Sequence, residues 1–587
     1  MTMGSDALFP VRLDIYRIMW LNVCKWSKLC IMKALALYLR DSFRPDLVAG
    51  LTVAMIAVPQ AMAYASIAGV PPIHGLHTAI VPAIIGSLLG SSHHLITGPT
   101  NAIALVTAGV LVTTAGRPDF VEIVFALALI SGTVQLLLGL LRLGGIIRFV
   151  SNSVLTGFLT GASLLIIVNQ ASNLLGLPRV TATETPFIVL ELARNLPLWN
   201  PFVAAISLLT ILLLGICRRI NPNLPAPLLA LVAATLCAQL FGESAHSIRL
   251  VRDIGAMTDV FPTFHLPQVA LDARTLELLL TSGSAVALLG LVEAMSVAKA
   301  LALSTGQTIN TSREFVGQGL ASLASGFCQG IPPSGSLSRS AVNFGSGART
   351  RMAGAWSGAF VFLALLAFAP WLSIIPLAGL GGVVVVAAIK MIDVEHIKLT
   401  WQSRATSRVT FLITFAATLL LPLHYAIYLG VLLSIGLYLH ESSSVQLSYL
   451  VERDGKFIER SYAELVQNPP PIAIIHVEGA LYFGATDDLE QRLDTLFRSG
   501  VKVAILRLRR VRFLASTGVT ALERIAASAK RHGTRVMLCG VRDEVADTLQ
   551  ASGASALFGA ENIFKADDAL FESTKMAWQS AQRDRAA

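Results

Sequence analysis

A train of apolar segments constrains this chain more than any other feature. From about Asp46 to about His440, runs of roughly 20 apolar residues are separated by short polar or basic turns. In lipid every backbone polar group must be satisfied within its own segment, so each run reads as a spanning helix. Spans are predicted near 47–68, 74–90, 97–114, 121–141, 150–170, 201–217 and 225–241. A second set is predicted near 277–303, 313–330, 336–346, 353–370, 372–390, 407–421 and 423–440. This gives about 12 to 14 spans, several of them interrupted by Gly or Pro. The loop from about Phe241 to Thr275 divides them into two groups of seven. Composition excludes a soluble globule: 14% of residues are charged, against about 25% in soluble domains, and mean hydropathy is +0.66.

The net charge of +9 is the excess of Lys and Arg expected in the inside loops of a multispanning protein, and it calls for no nucleic-acid partner. With the N-terminus inside, those loops carry Arg142 and Arg148, Arg218 and Arg219, Lys299 and Arg313, Arg349 and Arg351, and Lys398, Arg404 and Arg408. The outside loops carry Arg117, Arg179, Arg194, Arg249 and Arg252, accompanied by acids. The first forty residues lack a cleavage site and read as a basic interfacial helix rather than a signal peptide.

An odd number of spans per half inverts the second half, the arithmetic of an inverted-repeat transporter with broken helices at matching positions. The third segment of each half fits. One begins Thr97-Gly98-Pro99-Thr100-Asn101-Ala102, and the other contains Gln329-Gly330-Ile331-Pro332-Pro333-Ser334-Gly335-Ser336-Leu337-Ser338-Arg339-Ser340. Gly and Pro forbid a continuous helix there, and the serines suit the start of a new one. A helix that starts at membrane depth points unpaired N–H groups and partial positive charge inward. Arg339 adds an intramembrane cation, which costs about 2.5–3.5 kcal/mol on insertion scales and marks a function. The segment therefore reads as an anion site.

After about Glu441 charges become frequent, and Asn468-Pro469-Pro470-Pro471 closes a predicted linker. Strands at Ile472–Val477, Lys502–Leu508 and Arg535–Cys539 alternate with helices at Asp487–Phe497, Thr517–Arg531 and Asp543–Ala551, which indicates a small α/β domain. The predicted organisation is an N-terminal segment over 1–45, a transport domain over 46–440, a linker over 441–470, an α/β domain over 471–575 and a tail over 576–587.

No enzyme constellation is present. Six scattered cysteines lack metal or disulfide spacing, and His74, His77, His93 and His94 lie near span ends, where a solvated role is the default. No metal or other cofactor is expected. The lack of a phosphate-binding glycine loop argues against ATP-driven pumping.

The combination resembles the SulP/sulfate permease family. The matching pieces are the segment from Asp46 to Ala54 leading into Val58-Pro59-Gln60-Ala61-Met62-Ala63-Tyr64-Ala65, the Gly98-Pro99-Thr100 turn and Ser338-Arg339-Ser340; the tail resembles a STAS domain. The resemblance implies an α-helical multispanning membrane protein, a seven-plus-seven inverted repeat with core and gate domains and two discontinuous helices, followed by a cytoplasmic STAS domain. It also implies cytoplasmic termini, the cell membrane as location, and a homodimer.

Arg339, Ser338 and Ser340 are the first candidates for the anion, faced by the helix start at Thr100, Asn101 and Ala102. Gln60 and Tyr64 lie one turn apart on a helix face; their spacing leaves cavity lining and packing both open, and the resemblance implies lining. Glu293, deep in an apolar span, is either a proton-responsive coupling group or a fixed counter-ion for Arg339. The resemblance links the matching acid to proton symport, and sodium coupling stays open. In the tail, Ala515 stands where regulatory STAS domains carry an acid beside a phosphorylated serine, so Ser516 or Thr517 is expected to cap a helix instead. The expected function is secondary transport of a small oxyanion, sulfate first, with bicarbonate and C4-dicarboxylate next. Chloride exchange and an anion sensor without net transport are the alternatives.

Overall fold

The computed structural model describes residues 36–586, apart from 115–116, 179–184, 222–223, 243–246, 256, 258–259, 271, 443–444, 454–455, 480, 482, 512–513 and 515. The predicted helix around Ile18 to Cys24, Arg179 and Ala515 lie outside the described residues. The chain divides into two compact units between Ser434 and Ile435.

In the first unit, α1 (Phe43–Ala68), α2 (Pro72–Leu89), α3 (Asn101–Thr113), α4 (Phe120–Leu140), α5 (Asn152–Leu175), the short α6 (Thr185–Asn195), α7 (Pro201–Ile220) and α8 (Ala226–Phe241) make the first half. The second half runs α9 (Ala273–Thr305), α10 (Thr311–Phe327), α11 (Leu337–Gly345), α12 (Met352–Ser373), α13 (Leu377–Met391), the short α14 (Val394–Gln402), α15 (Ala405–Leu420) and α16 (Leu423–Ser442). Among the described residues, eight helices are long and apolar enough to cross a membrane. The other six expected spans are shorter or less apolar, α11 being only nine residues. The predicted span at 97–114 resolves into a two-residue strand and a short helix, and that at 336–346 into a short helix alone, preceded by a second two-residue strand. β1 (Thr97–Gly98) pairs antiparallel with β2 (Ser334–Gly335), Thr97 opposite Gly335 and Gly98 opposite Ser334. Backbone that Gly and Pro exclude from a helix thus finds its partners in the other half.

The inverted repeat is visible in detail. The first helix of each half, α1 and α9, ends on a left-handed glycine, Gly69 (φ 79°) and Gly306 (φ 69°). Each half places a short helix between its fifth and sixth spans, α6 and α14. Hydrogen bonds repeat as well. Glu314 on α10 accepts from the amides of Ser91 (2.6 Å) and Ser92 (2.9 Å) just after α2, and Thr78 on α2 accepts from the amide of Ile331 (2.8 Å) just after α10. Buried Asp46, in the first turn of α1, accepts from the amides of Arg349 (2.7 Å) and Thr350 (3.1 Å). At the matching start of α9, Arg117 donates to Thr275 (2.7 Å).

The helices form two packing groups. α4 lies along α10, α12 against α1 and α2, and α9 against α4, making a core group from the first four spans of each half. α5 packs on α13 and α15, and α7 on α8 and α13, making a gate group from the last three. The α4–α10 crossing brings backbone onto backbone: a Cβ added at Gly319 would lie 2.5 Å from the amide nitrogen of Leu136, and one at Gly132 2.6 Å from that of Leu323. Contacts of this kind hold helices together where lipid supplies no hydrophobic drive. Gly319→Val is therefore expected to cost more than the roughly 1–3 kcal/mol typical of overpacking. The check is a lowered midpoint for loss of the monodisperse peak on heating detergent-solubilised protein.

The second unit is a sheet of order β4-β3-β5-β6-β7-β8. Its strands are β3 (Gln446–Arg453), β4 (Lys456–Ser461), β5 (Ile472–Glu478), β6 (Val503–Arg510), β7 (Arg535–Val541) and β8 (Ile563–Lys565); β5 to β8 run parallel and β3 antiparallel to both neighbours. Alternation along the strands sends Ala473, Ile475, Ala504 and Leu506 to α18 (Phe483–Arg498) and α19 (Ser516–Arg531), after the short α17 (Tyr462–Gln467). Ile474, Ile505 and Met537 face a cluster with Ala577 and Ala581 of the last helix, α22 (Glu572–Ala586), which follows α20 (Asp543–Ala551) and the single-turn α21 (Ser555–Phe558). Two expectations are corrected. The predicted linker over 441–470 holds β3, β4 and α17, and the predicted tail over 576–587 belongs to α22. The edge strand β4 carries Lys456, Glu459 and Arg460, charges that protect an edge and make it read as linker.

Candidate functional site

The site grows from the β1–β2 pair. Antiparallel pairing sends the two chains in opposite directions from one point, so α3 and α11 both begin beside it. The amide of Ser336 donates to the carbonyl of Ile96 (2.9 Å), and the Ser336 hydroxyl caps α11 by accepting from the amide of Arg339 (3.5 Å). The remaining first-turn N–H groups of the two helices supply the partial positive charge of helix starts.

Arg339 is the largest fully buried side chain among the described residues, 1% exposed. One guanidinium nitrogen, Nη2, donates to the carbonyl of Pro99 (2.8 Å), which ties α11 to the turn that opens α3. Its Nε is buried without an acceptor among the described residues. Gly98 makes room for it, since a Cβ there would lie 3.0 Å from Nη1. Glu293 on α9 is half-buried and accepts from the Thr100 hydroxyl (3.0 Å); among the described residues it forms no ion pair with Arg339. Among the described residues Arg339 and Glu293 thus share one chamber without a direct bridge. Ser334 donates to the Gly290 carbonyl (3.0 Å), fixing β2 to the same helix.

Gln60 and Tyr64 are both buried on α1 beyond Pro59. The Gln60 Oε1 has no donor among the described residues, and Tyr64 stands within electrostatic reach of Arg339 and Glu293. Ser338 is exposed, its hydroxyl 3.4 Å from that of Ser336. Ser340 is buried and its oxygen accepts from the Ile96 amide (2.8 Å), so it props the strand. Asn101 holds the Ala102 amide through its Oδ1 (3.2 Å) and touches the Met391 sulfur of α13, a contact between core and gate groups. The structure thus brings together Arg339, Thr100, Glu293 and Tyr64, keeps Gln60 buried one turn before Tyr64 on α1, and gives Asn101, Ala102 and Ser340 local duties. Sequence reading gave Gly98 and Ser334 only a place in the two helix breaks, and no local signal marks Met391, whose partner lies 290 residues away.

A separate cavity of about 620 Å³ lies between the groups, lined by Ser66 of α1 and the capping Gly69, Leu105 of α3, Asn169 and Asn173 of α5 and Gly381 of α13. None of the residues just described at the chamber lines it. Two of the histidines expected to be solvated are not: His77 and His94 are buried, the latter edge-on against Phe344. Their sequence positions near span ends do not reveal that the bundle closes over them. Among the described residues no group of three metal-ligating side chains occurs.

Comparison with known proteins agrees with this architecture. The profile of the sulfate permease family matches residues 43–417, and that of the STAS domain matches 462–569. Sulfate transporter 4.1, chloroplastic, of Arabidopsis thaliana is 27% identical over 588 residues, covering 95% of this chain and 81% of that protein. Probable sulfate transporter MT1781 of Mycobacterium tuberculosis is 30% identical over 538 residues, covering 90% of this chain and 94% of that one. The murine Solute Carrier 26 family member A9 anion transporter in the inward-facing state superposes with a TM-score of 0.82 at 20% identity, over 99% of this chain and 96% of that one; the fold is shared.

Proposed function

Because this chain belongs to the sulfate permease family, a family of transporters rather than enzymes, we propose that it is a secondary transporter of sulfate. The observation that carries this reading is the buried Arg339 guanidinium, with an unsatisfied Nε, at the meeting point of two helix starts. A tetrahedral oxyanion can take hydrogen bonds from the α3 and α11 first-turn amides, from the Ser338 hydroxyl and from the guanidinium at once. Gln60 and Tyr64 close the chamber from α1, and Ser340, Asn101 and Ala102 position the helix starts. The family relatives named for sulfate support the choice of anion.

Glu293 is the proton-coupling group. Its half-buried carboxylate accepts from Thr100 beside the anion, so a bound proton removes a negative charge next to an entering anion and makes the two uptakes mutually favourable. Transport proceeds by movement of the core group, which carries the chamber, past the gate group. This elevator-like exchange is supported by the division of the helices into two packing groups, with Asn101–Met391 and the Tyr428 hydroxyl to the Thr281 carbonyl (2.6 Å) among the contacts across it. The protein is a homodimer of the cell membrane, with its N-terminus and STAS domain cytoplasmic, supported by the basic residues at the inside loops.

Uptake of labelled sulfate into proteoliposomes tests the reading, with selenate, bicarbonate and succinate as competitors. Selenate is expected to compete best; competition by bicarbonate or succinate alone would overturn the assignment, and binding without net flux would make the protein a sensor. Glu293→Gln is expected to abolish stimulation by an inward proton gradient while sparing sulfate–sulfate exchange. Stimulation equal to the parent's would assign coupling elsewhere, sodium included.

A further inference from the structure

The cavity between the core and gate groups carries a chemistry of its own. Near its end α5 places Asn169, Gln170 and Asn173 in an otherwise apolar run, and all three line the cavity. Polar side chains set in a membrane helix face protein or water rather than lipid. Gln170 accepts from Asn173 through its Oε1 (3.0 Å), and Asn169 is exposed. Arg249 is the one charged side chain among the described lining residues. It is held at both ends: its carbonyl accepts from the Leu377 amide at the start of α13 (2.9 Å), and its Nη2 donates to the Leu177 carbonyl just after α5 (3.2 Å). Arg249 is thereby fixed to the gate group, while Ser66 and Leu105 in the facing wall belong to the core group.

The gap is open at one end of α5 and shut at the other. Near the start of α5, Val154 and Phe158 close on Leu289 and Val292 of α9, leaving about 20 Å³ lined only by apolar side chains. The open end holds about 620 Å³, many times the roughly 30 Å³ share of one water molecule, so an anion enters it with its hydration shell. A guanidinium beside carboxamides and hydroxyls, with no carboxylate among the described lining residues, favours an anion there and repels a cation. The cavity also reaches towards the chamber. Leu105, in its wall, stands four residues along α3 from Asn101, a rise of about 6 Å or one helical turn. Resting on the reading of this chain as an oxyanion transporter with its N-terminus inside, we infer that the cavity is an outer anion station. Arg249, carried by the gate group, draws a hydrated oxyanion such as sulfate into the gap before it passes to the chamber at the start of α3.

Thiol accessibility in intact cells expressing the full-length protein tests it. Asn169→Cys places a thiol in the cavity, and mass spectrometry of the peptide that carries it separates it from the native cysteines. Three membrane-impermeant thiosulfonates, one anionic, one cationic and one neutral, are added outside. The anionic reagent is expected to react faster than the cationic one, and sulfate to slow both. Adding Arg249→Gln lowers the anionic-to-cationic rate ratio about tenfold, since a nearby unit charge in water acts on the two reagents with opposite sign, roughly threefold on each. It also removes the protection by sulfate. The neutral reagent keeps its rate, which reports an intact cavity; should that rate change, the charge-keeping Arg249→Lys decides, and it retains the ratio. Arg252→Gln, at the exposed surface nearby, leaves the ratio unchanged. An unreactive thiol, an unchanged ratio in Arg249→Gln, or an equal fall with Arg249→Lys or Arg252→Gln overturns the inference alone, provided the parent takes up labelled sulfate. A thiol reached only in inside-out vesicles overturns the orientation and the outer station together. A parent that carries no sulfate overturns the functional reading, and this inference with it.

Discussion

Arg339→Gln is expected to eliminate measurable sulfate uptake while leaving a folded protein. Removing one partner of a desolvated, hydrogen-bonded charge pair costs about 2–5 kcal/mol, or roughly 30-fold to several thousand-fold in affinity. The effect belongs at the upper end here because the guanidinium is 1% exposed and water cannot readily replace it. Arg339→Lys is expected to recover only part of the loss. An ammonium lacks the fork that lets one nitrogen hold the Pro99 carbonyl while another stays available. Calorimetric sulfate binding together with uptake checks this, and thermal unfolding separates it from misfolding. A glutamine variant that binds and moves sulfate like the parent would remove the foundation of the site. Gly98→Val should approach the same phenotype by a different route, since its side chain would displace the guanidinium instead of deleting it.

The second large effect concerns the STAS unit. Arg507 on β6 is buried; it donates to the Thr574 hydroxyl (3.1 Å) and the Leu570 carbonyl (2.8 Å), and its guanidinium lies 4.8 Å from the centre of the Phe571 ring. These contacts gather the entry to α22 onto the sheet. His476, buried beside it, lies 3.2 Å from Arg507 through Nδ1 and 3.0 Å from Glu478 through Nε2; Arg510 also bonds Glu478. Burial, then the charges of Arg507 and Arg510, push the His476 imidazole down to about 4, against a partial lift from Glu459. The folded state therefore holds a neutral imidazole that the unfolded state protonates near 6.5. Stability is fully present above about 6.5 and declines as pH falls towards 4, because the unfolded chain binds the extra proton first.

Arg507→Leu is expected to release α22. Each hydrogen bond to a charged group is worth about 1.5–3 kcal/mol, so opening of the helix should become at least tenfold more frequent. Hydrogen exchange of α22 amides in the full-length protein, corrected for intrinsic rates, measures it. The parent should show faster exchange at pH 5 than at pH 7, and His476→Gln should flatten that dependence. Unchanged exchange in the Arg507→Leu protein would mean that the apolar contacts of Ala577 and Ala581 suffice to hold the helix.

Several of these features could be read along the chain because their causes are local. An apolar run long enough to cross lipid has few alternatives to a helix, so the long spans and their two groups of seven follow from hydropathy. Gly98-Pro99 and the Pro332-Pro333 to Gly335 stretch cannot continue a helix, so the two breaks and the helix starts after them follow from backbone sterics. The left-handed ends of α1 and α9 at Gly69 and Gly306 repeat as well, but only the structure shows them. The linker and tail failed for the opposite reason: the residues of β4 are charged because they form an edge, and α22 has little apolar surface beyond the side it lays on the sheet.

The residues alone thus determined a membrane transporter of inverted halves, with a lone intramembrane guanidinium after a broken helix, since membrane solvation and glycine–proline sterics act at short range. Tertiary structure alone decided what that guanidinium meets. The pairing of Thr97 and Gly98 with Gly335 and Ser334, the Pro99 carbonyl held by Arg339 and the Thr100 bond to Glu293 all join positions more than a hundred residues apart. Such contacts exist only because two oppositely oriented halves pack around one point, and no local preference of either half encodes where the other will stand.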